Sequence, residues 1–179
     1  VTFENDGLLT FGEVQPYEAI TSNDIKVTLN EAGTAETLEI EGQKIGYLMY
    51  NAFTRGFDTS LNSVFAQFKA DGINDLILDL RYNGGGSVET AVDLSSMITG
   101  QFNNQLFANE FWNDDRQNVY ANPILFNDKI FTGELINSLN LNKVYILTTN
   151  SSASASELVI NCLKPYIEVK QIGDRTRGK

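Results

Sequence analysis

Residues 74–100 read NDLILDLRYNGGGSVETAVDLSSMITG, and the apolar pattern changes period inside them. Leu76 to Leu80 is a short apolar run bounded by polar residues, which predicts a strand. Three consecutive glycines follow. Beyond them Val88, Ala91, Val92 and Ile98 recur at helical spacing with Gly100 as a stop, so they predict a helix that buries all four. A buried strand, a tight loop and a helix in that order open an alternating strand–helix architecture.

The alternation continues on both sides. Upstream, KIGYLMY predicts a buried strand over Ile45–Tyr50. DTSLNSVFAQFKADG predicts a helix capped by Asp58 or Thr59, with Leu61, Val64, Phe65 and Phe68 on one face and Gly72 at its end. Downstream, KVYILTT predicts a strand, ASELVINCLKPY a helix broken at Pro165, and IEVKQIG another strand. Residues 101–140 are rich in Asn, Phe and Asp and nearly aperiodic. They predict a long excursion with one short helix near TGELINSL. Residues 1–40 are weakly patterned, but NDIKVTLNEAG alternates Ile25, Val27 and Leu29 and closes on a turn at Gly33, with ETLEI as a candidate partner strand. The whole reads as an α/β layered fold with mostly parallel pairing, preceded by a short β-rich N-terminal segment.

The chain has 179 residues, 42% hydrophobic and 20% charged, enough for one domain with a sizeable core. Its formal charge of −10 repels phosphate backbones and anionic lipid surfaces, which argues against nucleic-acid binding. No apolar run reaches the roughly 18 residues of a membrane helix, so this segment is not expected to insert in a membrane. The abrupt start at Val1 and stop at Lys179 read as a piece of something longer. Cys162 is the single cysteine and there is no histidine. Cys162 reads as a small core hydrophobe, and metal sites built on nitrogen or sulfur are excluded. No cofactor is expected.

Three strand ends carry unusual loops. Gly84-Gly85-Gly86 allows a bare backbone to approach a ligand, or is simply a tight turn; the spacing fits neither a P-loop nor a dinucleotide fingerprint. SSASASE, residues 151–157, places small residues at a strand-to-helix corner. Such a corner suits an exposed nucleophile, or an ordinary cap by Ser154 or Ser156 with Glu157 in the first turn. GDRTRGK ends on Lys179. A serine nucleophile needs a base, and without histidine a lysine whose pKa is lowered by burial is the remaining choice.

Four blocks, in order, resemble the S41 family of C-terminal processing (tail-specific) serine peptidases, with a ClpP/crotonase-like layered β-β-α core. They are KIGYLMYNAF, LILDLRYNGGG, SSASASE and IGDRTRGK. The resemblance spans residues 42–179 as a catalytic core cut short at its C-terminal end. Residues 1–41 are left as an N-terminal β segment, or the remnant of a PDZ-like domain or linker. It implies Ser154 as nucleophile and Lys179, 25 residues on, as general base. The backbone amides of Gly86 and Ala155 would form the oxyanion hole. Arg81 and Asn83 would organise the loop, with Asp79 structural. The implied substrate is a polypeptide, unfolded or near its C-terminus, and the implied location is exported, periplasmic or cell-envelope, with a lipid-anchored parent as one form. Two features depart from the family pattern: Pro165 stands where some members carry an acidic residue, and Arg177 replaces the usual aromatic. A crotonase-like acyl-CoA enzyme and a non-catalytic peptide- or glycan-binding relative are the alternatives. With Lys179 beside its own α-carboxylate, these 179 residues alone are expected to be a poor peptidase that a longer chain rescues.

Overall fold

The structure, a computed structural model, describes residues 27–29 and 33–179; Ile25 lies outside them, while Val27, Leu29, Gly33 and ETLEI lie inside. In chain order the elements are β1 (Val27–Leu29), β2 (Gly33–Ile40), β3 (Gln43–Tyr50), α1 (Asp58–Asp71), β4 (Asp75–Asp79), α2 (Val88–Thr99), β5 (Leu106–Asn109), α3 (Asp114–Tyr120), β6 (Pro123–Leu125), β7 (Lys143–Thr148), α4 (Ala155–Leu163) and β8 (Glu168–Gly173). A six-stranded sheet runs β1-β2-β3-β4-β7-β8, and β5 pairs with β6 in a separate ribbon. The β1–β2 and β2–β3 pairs are antiparallel, while β3–β4, β4–β7 and β7–β8 are parallel. This is an α/β fold with a mostly parallel sheet. The β2–β3 hairpin turns on Glu41 and Gly42, both at positive φ, as a two-residue turn matched to strand twist requires.

Register sorts the strand residues into two faces. Leu48, Leu76, Leu78, Val144 and Ile146 point one way and are fully buried; they join Leu61, Phe65 and Phe68 of α1, Leu94 and Ile98 of α2, and Val159 and Leu163 of α4 in one core. Ile45, Tyr47, Ile77, Tyr145, Leu147 and Ile172 line the opposite face around an apolar hollow of about 530 Å³. Gly46 sits where a Cβ would lie 2.6 Å from Ile73 Cδ1, so its missing side chain lets the end of α1 close on the sheet.

Four local readings need correction. Phe57, not Asp58 or Thr59, is the N-cap of α1, because a 3₁₀ turn at Arg55–Phe57 carries the chain into the helix and puts Asp58 inside the first turn. Val88 opens α2 but is 37% exposed, since the first turn of the helix projects beyond the core; Ser87 caps it by accepting from Thr90 N–H at 3.2 Å. Gly33 opens β2, pairing with Leu29, and is not a turn. No helix forms over 132–139. There the main chain is held extended by tertiary bonds: Asn62 Nδ2 donates to Leu135 O, Asn137 N–H donates to Asn62 Oδ1, and Leu139 N–H donates to Met97 O. The excursion's helix is α3, earlier in the chain. Cys162 is half-buried against the core, and desolvation pushes its thiol up.

Candidate active site

At the end of β7 the chain turns through residues 149–154 and enters α4. The three alternating serines there are not equivalent. Ser152 is fully buried; its hydroxyl donates to Leu80 O at 2.7 Å and accepts from Thr149 N–H at 3.0 Å. Ser156 is fully buried too and donates to Asn83 O at 3.0 Å. Ser154, between them, is half-buried and holds φ +56°, ψ −116°. A non-glycine residue in that region costs about 1–3 kcal/mol and is kept only where its surroundings over-determine it. Its hydroxyl faces the Glu157 amide in a capping-box arrangement but forms no cap hydrogen bond of ordinary geometry. Ser154 is therefore both the N-cap of α4 and the half-buried side chain of a strained strand-to-helix turn.

The glycine loop is built against this corner. Asn83, fully buried, donates Nδ2 to Tyr50 O at 2.7 Å and accepts from Gly85 N–H at 2.9 Å; its carbonyl accepts from Ala153 N–H at 3.1 Å. Gly85, at φ +105°, has no room for a side chain: a Cβ would stand 2.6 Å from Ser154 Cβ and 3.0 Å from Ala155 N. Ser87 N–H donates to Phe53 O at 2.8 Å. Gly86 N–H and Ala155 N–H, the first amide of α4, donate to no other described residue, and neither does the N–H of the exposed Gly84. The first two flank the loop–helix corner. Below it, Asp79 accepts from Arg81 N–H, Nε and Nη2 and from Tyr47 OH. Burial works to raise its carboxyl, but the bonds from Arg81 and Tyr47 prevail and hold it below the usual range; burial together with Asp79 pushes Tyr47 up to about 12.

The last block folds back over the serine block. Thr148 Oγ1 donates to Asp174 O at 2.7 Å and Arg177 N–H to Ser152 O at 2.9 Å. Glu157, buried in the first turn of α4, then gathers three main-chain donors: Ser154 N–H at 2.8 Å, Gly178 N–H at 2.6 Å and Lys179 N–H at 3.0 Å. Burial pushes its carboxyl up, but these amides and the Thr176 side chain outweigh it and hold the group at about 2. Sequence reasoning gave Glu157 no role beyond the first turn. The Ser-x-x-Glu spacing of a capping box was the signal.

A cleft of about 340 Å³ has Ser154, Ala155 and Lys179 in its walls, with Val88, Glu157, Leu158 and Asn161 completing them. Three of the four residues singled out from the sequence therefore share one cavity. Gly86 is not one of its walls; it lies on the loop that Gly85 presses against Ser154. Lys179 is exposed. A hydroxyl whose proton no described residue accepts, a lysine in the wall of the same cleft and unpaired amides at its corner are groups of the kind that acyl transfer uses.

The model of the family described as "Peptidase family S41" matches residues 44–179. A probable CtpA-like serine protease of Staphylococcus epidermidis is 30% identical over 159 residues, covering 87% of this chain and 29% of its own. The carboxyl-terminal-processing protease of Picosynechococcus is 24% identical over 143 residues, covering 79% and 30%. Among solved structures, a putative S41 protease from Bacteroides fragilis superposes with a TM-score of 0.73 at 37% identity, over 79% of this chain and 38% of that one. The photosystem II D1 C-terminal processing protease superposes at 0.62 with 26% identity, over 86% and 38%. The chain thus spans about a third of the length of the curated relatives it matches.

Proposed function

The chain belongs to peptidase family S41, and from that membership we propose a serine endopeptidase working through a Ser154–Lys179 dyad. One observation carries the reading: of the three alternating serines only Ser154 donates its hydroxyl proton to no described residue, and it shares its cleft with Lys179. Ser154 Oγ attacks the peptide carbonyl carbon while Lys179 Nζ takes the hydroxyl proton. Gly86 and Ala155 N–H donate to the oxygen as it gains charge. The C–N bond then breaks, Lys179 returns the proton to the leaving amine, and a water deprotonated by the same amine cleaves the acyl ester.

The names of the relatives support a polypeptide substrate cut near its carboxyl terminus, and unfolded chains are included in the proposal. An exported or cell-envelope location belongs to the same proposal. A fluorophosphonate probe on the full-length protein tests the site. Labelling lost in Ser154→Ala and kept in Ser152→Ala and Ser156→Ala is expected. Equal labelling of all three overturns the assignment, because the reactive group then lies elsewhere, and no labelling of the unmodified protein points to a relative that binds peptides without cutting them.

A further inference from the structure

The glycine loop has a frame. Phe53 N–H donates to Gly85 O at 3.1 Å, Ser87 N–H returns a bond to Phe53 O, and Asn83 holds Tyr50 O. The loop therefore hangs between the end of β3 and the first turn of α2. Both pieces carry members of one buried polar cluster that the proposed reaction does not use. Tyr50 is fully buried; Asp58, at the start of α1, is 3% exposed and Asp93, on α2, is 2% exposed. Thr90 Oγ1 donates to Asp58 Oδ1 at 2.8 Å, and Asn127 Nδ2 donates to Asp93 Oδ1 at 2.5 Å. Tyr50 OH and Asp58 Oδ2 have no partner among the described residues.

The charges around the two carboxyls do not balance. The groups that face them are Tyr50 from β3, Arg55 from the 3₁₀ turn, Glu89 and Thr90 from α2, and Asn127 from the loop after β6, besides each other. Arg55 is the only cation among these. Its guanidinium pairs with Glu89 at 2.6 Å, its side chain is 43% exposed, and it stacks on Phe131. Among the described residues no positive charge is buried with Asp58 and Asp93. Two desolvated carboxylates without a buried counter-charge repel each other and lose hydration, so one of them keeps a proton instead. Burial first, and the Asp58 charge after it, push Asp93 up to about 6; burial also pushes Asp58 up, and it raises Tyr50 with help from Asp58.

We propose that Asp58 and Asp93 are positioning residues for the glycine loop: the pair keeps a proton in the folded chain, and release of that proton to solvent pushes apart the end of β3, the start of α1 and α2, which together hold Gly85 and Gly86. The catalytic meaning rests on Gly86 N–H being an oxyanion donor. The response of the loop to the proton does not, and it can be read without peptidase activity.

The measurement is NMR on the 179-residue chain from about pH 4 to pH 8, following the carboxyl carbons of Asp58 and Asp93 and the amide signals of Gly84, Gly85 and Gly86. One carboxyl is expected to titrate about two pH units above the ordinary aspartate value, with the glycine amides moving at the same midpoint. Asp93→Asn and, separately, Asp58→Asn should remove that midpoint from the glycine signals. If one variant does not fold, the coincidence of midpoints in the unmodified chain and the other variant decide. Two carboxyls titrating in the ordinary range, or a raised carboxyl beside unmoved glycine amides, overturns the proposal. Retained coupling with a failed probe test counts against the peptidase reading alone.

Discussion

Glu157 supplies one charge where the corner presents three donors. The amides of Ser154, Gly178 and Lys179 all point at its carboxylate, so a single side chain fixes the backbone of the proposed nucleophile relative to that of the proposed base. Glu157→Gln keeps one acceptor but turns an NH₂ toward amide donors, which cannot be satisfied. A misplacement of about 1 Å at a reacting group can cost about a hundredfold, so probe labelling of Ser154 is expected to fall by that order in Glu157→Gln, with the chain still folded. Unchanged labelling would show that the corner holds itself. Lys179→Arg keeps the charge but cannot be deprotonated, so peptide hydrolysis by the full-length protein is expected to drop at least about a hundredfold while the circular dichroism spectrum is retained. Activity within about threefold of the unmodified protein would mean another group takes the proton. Ser154 and Lys179 could be singled out from the sequence because each stands inside a motif of its own, and the fold brings both to one cleft. The role of Glu157 was not legible, because two of its three partners lie 21 and 22 residues away and no local pattern records a bond of that span.

Among the elements, the β4–α2 loop takes its shape from contact with another loop. Gly85 needs φ +105° and has Ser154 Cβ where its own Cβ would go. Gly85→Ala is therefore expected to lower stability by at least about 1–3 kcal/mol, read as a shift of the urea midpoint, and to abolish probe labelling through displacement of Ser154. A midpoint and labelling rate equal to those of the parent chain would show that the loop has room to move. The strands and the three core-covering helices were legible because each buries a periodic apolar face. The excursion was not. α3 buries none of its residues, so it has no stripe to detect, although Asn113 and the acidic Asp114 and Asp115 do mark its start. Residues 132–139 carry helix-forming residues but are pulled straight by Asn62, and tertiary bonds of that kind override propensity. Val88 misled for another reason: α2 begins at the glycine loop and carries its first turn out to the cleft wall.

At the scale of the whole molecule, two sets of carboxyls pull stability in opposite directions with pH. Glu157 is held at about 2, below its ordinary 4.5, by the donors it gathers. Its contribution is complete above that ordinary value and is lost as pH falls toward 2. Asp79 and Glu89, also lowered, act with the same sign. Asp93 is raised from 3.8 to about 6 by burial and by Asp58. Its contribution is complete below 3.8 and is lost as pH rises through about 6, and Asp58, raised by burial, adds to that loss. The net charge of −10 at neutral pH works in the same sense, since protonation toward acid relieves self-repulsion. The ascending and descending limbs meet where the ordinary carboxylate values lie, so the 179-residue chain is expected to have its highest Tm at about pH 4–5, below the usual range. Calorimetry at matched ionic strength across about pH 2.5–8 reads this directly. Asp93→Asn should flatten the neutral limb and leave the acid limb in place, and Glu157→Gln should do the reverse. A maximum at neutral pH, or a neutral limb unchanged in Asp93→Asn, would show that the buried carboxyls carry their charge without cost.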